Sequence, residues 1–99
     1  MEIADGHSIV RFRNGELWHF IYIKNKGIFY QRFGQGGKWE QPIDLFPNTQ
    51  EDFTVRVDDM DHLHLICRSV KGEMLYMHFD GRVWSRQMLC QFDPIRYVI

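Results

Sequence analysis

Trp18-His19-Phe20-Ile21-Tyr22 and Leu63-His64-Leu65-Ile66-Cys67 are one phrase written twice, 45 residues apart. The same offset recurs on both sides of it: Val10-Arg11 matches Val55-Arg56, and Trp39 matches Trp84. Between these anchors, Gly27-Ile28-Phe29-Tyr30-Gln31-Arg32-Phe33 aligns with Gly72-Glu73-Met74-Leu75-Tyr76-Met77-His78-Phe79 once a single residue is inserted. Each of these stretches leads into a glycine turn ahead of its Trp. Self-similarity at a fixed period marks a repeat architecture, so the chain reads as two copies of one unit.

Inside each copy, apolar runs rich in Val, Ile, Phe, Tyr and Trp alternate with turn residues, which is the pattern of short strands. Strands are expected at 7–13, 17–24, 28–33 and 38–44, and again at 53–58, 62–69, 73–79 and 83–89. The stretch Phe46-Pro47-Asn48-Thr49-Gln50-Glu51-Asp52 holds a proline and polar residues and reads as a loop. No helical stripe is found. Four short strands in a period of about 40–45 residues describe a blade of a β-propeller. The fold expected is therefore all-β: a single propeller segment over 1–99, with blade 1 at about 7–45, blade 2 at about 53–90 and a closing strand at about 95–99. Propellers close with about 4–8 blades, and two blades alone leave apolar sheet faces wet. Head-to-tail association of identical chains supplies the missing blades, and three chains, a homotrimer of six blades, is the favoured ring. The alternative is a piece of a longer propeller array.

Composition agrees with a strand-rich packing surface, for eight Phe, four Tyr and three Trp stand in 99 residues. Twelve Lys and Arg against thirteen Asp and Glu leave a net charge of -1. No electropositive field is then available for nucleic acid or an anionic membrane, and neither is expected as a partner. The apolar runs are far too short for a membrane-crossing helix, and the opening residues show no basic and apolar pattern of a secretory signal. Cys67 and Cys90 have no metal-ligand spacing and read as reduced thiols. Neither a metal nor any other cofactor is expected.

On Leu63-His64-Leu65-Ile66-Cys67-Arg68, Gly72, Leu75-Tyr76, Phe79-Asp80-Gly81 and Trp84, the second copy resembles the lectin-like and sialidase-like propeller repeats of bacterial proteins. The two-copy layout is similar to the small fucose-binding propeller lectins, whose two-blade subunits trimerise. The resemblance implies a sugar site between adjacent blades, formed there by an Arg, a Glu and a stacking Trp. In this chain the Arg position falls on or beside His19 and His64, and the acidic position near Tyr30 or Gln31 and near Tyr76 or Met77. Asp80-Gly81-Arg82-Val83-Trp84 keeps the Asp, Gly and Trp of the sialidase aspartate box, whereas Gln35-Gly36-Gly37-Lys38-Trp39 has no aspartate.

The residues themselves offer three constellations. Trp39 and Trp84 follow glycine turns, where an indole can stack on a sugar, and Tyr30 and Tyr76 recur one strand earlier with hydroxyls to donate. Arg32, His78 and Asp80 are the polar groups expected beside them; the same aromatics serve equally as packing between blades. Arg11 and Arg56, matched at 45 residues on the innermost strands, would line the ring's channel and offer guanidinium forks to an anion. His62 and His64 share a strand face near Asp58, Asp59 and Asp61, but the recurrence of His64 as His19, with no acidic turn beside it, favours packing over a metal site. No unique carboxylate pair, nucleophile elbow or phosphate loop is present. The expected role is non-catalytic, lectin-like binding of carbohydrate, with a structural or protein-interaction scaffold as the alternative.

Overall fold

The computed structural model describes residues 6–34 and 36–91. The expected closing strand at 95–99 and the turn residue Gln35 lie outside the described residues. Two four-stranded antiparallel sheets fill the described chain. Sheet 1 has β1 (His7–Arg11), β2 (Leu17–Ile23), β3 (Gly27–Arg32) and β4 (Ile43–Pro47), in that spatial order. Sheet 2 repeats the plan with β5 (Thr49–Val57), β6 (Leu63–Ser69), β7 (Glu73–Phe79) and β8 (Trp84–Gln91).

Two boundaries differ from expectation. The fourth strand of sheet 1 lies at Ile43–Pro47 and not at 38–44, and Trp39 makes only an isolated bridge to Phe33. The segment expected as a loop is nearly all strand: β4 ends at Pro47, β5 begins at Thr49, and Asn48 alone separates them. The proline that suggested a loop is admissible because β4 is an edge strand, where a missing N–H breaks no ladder.

Pairing also resets the repeat. Trp18 lies opposite Arg32 in sheet 1 as His64 lies opposite His78 in sheet 2, an offset of 46 in both strands. The first turns agree: the Phe12 N–H donates to the Glu16 carbonyl at 2.9 Å, and the Asp58 N–H donates to the His62 carbonyl at 2.9 Å. Gly15 and Asp61 hold positive φ at corresponding points of those turns, +95° and +59°. Toward the last strand the offset shortens: Phe33 bridges Trp39 whereas Phe79 pairs Trp84, an offset of 45, and Tyr30 pairs Ile43 whereas Tyr76 pairs Gln87, an offset of 44.

In a strand, a shift of one residue turns every side chain to the other face. Trp18 and Phe20 are thus counterparts of His64 and Ile66, and not of Leu63 and Leu65. The two sheets meet through what we call their inner faces. Sheet 1 contributes Val10, Trp18, Phe20, Ile28 and Phe46, and sheet 2 contributes Val55, Leu63, Leu65, Cys67, Leu75 and Met77, all buried. Trp18 packs on Phe79 with ring centroids 5.2 Å apart, and Tyr30 on Trp84 at 6.0 Å. Each fully buried side chain of this kind contributes about 1.5–3 kcal/mol, which makes this layer the principal support of the described fold. The outer face of sheet 1 carries His7, Ile9, Arg11, His19 and Gln31; that of sheet 2 carries Arg56, His64, Ile66, Tyr76 and His78.

β1 lies beside β5. Gly6 comes close to Glu51 at one end, and the Arg13 N–H donates to Asp61 Oδ1 at 2.7 Å at the other, so the two strands run in the same direction.

Candidate functional site

The alternation of β6 sends Leu63, Leu65 and Cys67 inward and leaves His64 on the outer face of sheet 2. β7 does the same with Leu75 and Met77, bringing Tyr76 and His78 beside it. Asp58 reaches this face from the turn before β6. Its carboxylate accepts the backbone N–H groups of Met60 and His62 through Oδ1, at 2.8 and 3.0 Å, and contacts His64 Nε2 through Oδ2 at 2.7 Å. A carboxylate only accepts, so Nε2 carries the proton. His64 Nδ1 lies 2.6 Å from the Tyr76 hydroxyl, and when the imidazole is neutral it accepts from that hydroxyl, so that the donors run Tyr76 to His64 to Asp58. The hydrogen bond from His64, followed by those from the backbone, lowers the Asp58 pKa to about 2.

His62 and His78 complete the patch. His62 Nδ1 lies 2.9 Å from His78 Nε2, and the His78 ring stacks on His64 with centroids 5.1 Å apart and planes 18° apart. His64 is engaged at both nitrogens, by Tyr76 and Asp58, and His62 and His78 each engage one nitrogen with the other. Among the described residues no group of three or more His, Cys, Asp or Glu is arranged to hold a metal ion. Arg56 faces the same way, opposite His64. The product is a half-exposed plate of aromatic rings with polar edges.

The outer face of sheet 1 has its own histidine pair. His7 Nδ1 lies 3.0 Å from His19 Nε2 with the rings stacked, and His19 Nδ1 lies 3.0 Å from the Gln31 amide nitrogen. Burial, and then the proximity of His7, lowers the His19 pKa. Trp39 sits here, 38% exposed, against His19 at 5.7 Å and edge-on to Phe33 at 5.3 Å.

A groove of about 530 Å³ opens at the rim of sheet 1, with Trp18, Arg32, Phe33 and Glu40 in its wall. Arg32 Nε donates to Glu40 Oε1 at 3.0 Å, and its guanidinium lies 5.9 Å from the Trp18 ring centre. Trp18 Nε1 donates to Glu16 Oε2 at 3.2 Å. Exposed pairs such as Arg32–Glu40 contribute only about 0–1 kcal/mol to stability, so its geometry is available for recognition.

Of the residues expected at a ligand site, the structure brings Tyr76 and His78 together, with ring centroids 6.4 Å apart. It also brings Tyr30 and Trp84 together, but in the core between the sheets, and places the others apart. Trp39 lies on the far outer face, and Arg32 stands at the groove. Asp80 caps the β7–β8 turn, accepting the N–H groups of Arg82 and Val83 at 2.9 and 3.0 Å, which lowers its pKa. Arg11 and Arg56 are exposed on β1 and β5 but point from opposite faces, Arg11 with His19 and Arg56 with His64. The matched pair expected for a channel is thereby undone: in the 46-residue frame Arg56 corresponds to Val10.

Glu40 and Asp58 were not expected at a ligand site. Glu40 is joined to Arg32 across a glycine turn, a link without sequence periodicity. Asp58 was visible only as one acid among three in its turn. A scan of the chain against protein-family models finds no match, and a search of the curated proteins finds none either.

Proposed function

We propose that the chain is a two-blade β-propeller unit that completes its ring with copies of itself, three chains to six blades, and binds carbohydrate without catalysing a reaction on it. One observation carries this reading: the two sheets repeat at 46 residues and meet through non-equivalent faces, with their first strands running alike. Rotation about a common axis relates such sheets, and rotation about an axis is what builds a propeller. The sugar site in this reading is the groove at the rim of sheet 1. There the Arg32 guanidinium donates and the Glu40 carboxylate accepts. Paired hydroxyls of a sugar match a donor beside an acceptor.

A glycan array followed by calorimetry on the best hit tests the proposal. Arg32→Ala is expected to weaken binding at least tenfold while leaving assembly intact. A fluorogenic glycoside is expected to give no turnover. The scaffold reading keeps one observation in its favour, for Trp84 and Tyr30 are spent on packing the sheets together. Silence across the array from a correctly assembled protein would leave that reading standing.

A further inference from the structure

Resting on the ring reading above, we propose that the outer face of sheet 1 docks on the outer face of sheet 2 in a second copy of this chain, setting Trp39 against Tyr76 and Phe33 against His64. The inner joint is the template. In it, Trp84 of sheet 2 meets Tyr30 of sheet 1, and Phe79 meets Trp18. Structural equivalence carries Trp84 to Trp39, Phe79 to Phe33, Tyr30 to Tyr76 and Trp18 to His64. Both free faces are thus the two halves of a joint the molecule already makes once.

The residue types support the same assignment. Leu63, Phe79 and Trp84, three inner-face residues of sheet 2, recur unchanged as Leu17, Phe33 and Trp39 on the outer face of sheet 1. Tyr30 recurs unchanged as Tyr76. These identities follow position, whereas the 45-residue matches of β2 with β6 follow burial. Ile9, 62% exposed, holds the place of Val55, which is buried in the inner joint. Uncovered, the face leaves Ile9, Phe33 and Trp39 exposed together.

Charge fits as well. Val57 and Phe12 both belong to the core around the inner joint. Their counterparts on the free faces are Arg11 on sheet 1 and Asp58 on sheet 2, a base and an acid of opposite sign. A face-to-face pairing of two sheet 1 outer faces would instead bring Arg11 and the His7–His19 pair against their own copies. The joint is therefore head-to-tail, and it propagates around a ring.

Analytical ultracentrifugation of the full chain tests it with Trp39→Asp, which spoils one face, and Tyr76→Asp, which spoils the other. Wild type is expected to sediment as a closed multiple of its 12.0 kDa mass. Each variant alone is expected to be monomeric at the same concentration, and an equimolar mixture is expected to form dimers, because one good face of each kind remains. Should circular dichroism find either variant unfolded, Ile9→Lys and Ile66→Lys replace them, both residues being exposed on the same two faces. A monomeric wild type overturns the joint and the ring together. An assembled wild type whose variants also assemble, singly or both, overturns the joint and leaves the ring reading in place. Monomeric variants that stay monomeric when mixed overturn the head-to-tail pairing.

Discussion

Asp58 is an exposed carboxylate whose free energy depends on its neighbours. Its folded pKa of about 2 lies below the ordinary 3.8, because His64 and two backbone N–H groups favour the charged form. A depressed folded pKa gives stability that is present above the ordinary value and is lost as pH falls through the folded one. Urea midpoints of the wild type are therefore expected to drop between pH 5 and pH 2.5. Asp58→Asn is expected to lower the midpoint at pH 5 and to flatten that drop. Cys67 shows the opposite sign. Burial, with a smaller push from the Asp52 charge, raises its thiol to about 11, so the fold holds the neutral form. In a Cys90→Ser background, Cys67 is expected to react with a disulfide reagent at pH 8 no faster than the chain opens, and at once in denaturant. Rapid native labelling would contradict its place between Leu65 and Leu75.

The alternation of the strands contains the lesson about reading this chain. Phe20 and Ile66 are structural counterparts, yet Phe20 is fully buried and Ile66 is 41% exposed. Phe20→Ala is expected to cost about 3–5 kcal/mol, and Ile66→Ala under about 1 kcal/mol, both by denaturation of the dilute chain. Leu65, the sequence match of Phe20, is fully buried like it. That explains why eight strands and two copies were legible while the frame was not. The first copy buries one face of its sheet and the second copy buries the other, so aligning apolar with apolar slides β2 by one residue against β6. Tyr30 and Tyr76 survived because their shared position coincides with a shared residue, whereas Arg11 and Arg56 matched only in the slipped frame. β4 was obscured by Pro42 and Pro47, which an edge strand accommodates and a sequence pattern does not. The Arg32–Glu40 pair and the Tyr76–His64–Asp58 relay depend on which turn folds over which strand, and no periodicity encodes that.

At the scale of the whole molecule, the two sheets share one continuous core and one very short connection. Asn48 adopts φ +59° between β4 and β5. Its N–H donates to the Lys26 carbonyl at 3.1 Å, and its own carbonyl accepts from the Val70 N–H at 2.9 Å. Lys26 belongs to the β2–β3 turn and Val70 to the β6–β7 turn, so one residue is bonded to a hairpin of each sheet. Asn tolerates this backbone conformation and a β-branched residue does not. Asn48→Val is expected to destabilise the chain by about 2 kcal/mol, whereas Asn48→Gly stays within about 1 kcal/mol of wild type in the same melt. A rivet through both halves has a mechanical consequence: neither half can loosen while the other holds. Calorimetry of the chain is expected to record one melting event, with no shoulder for a half-molten species, because a seam stitched at its tightest stitch opens along its whole length or not at all.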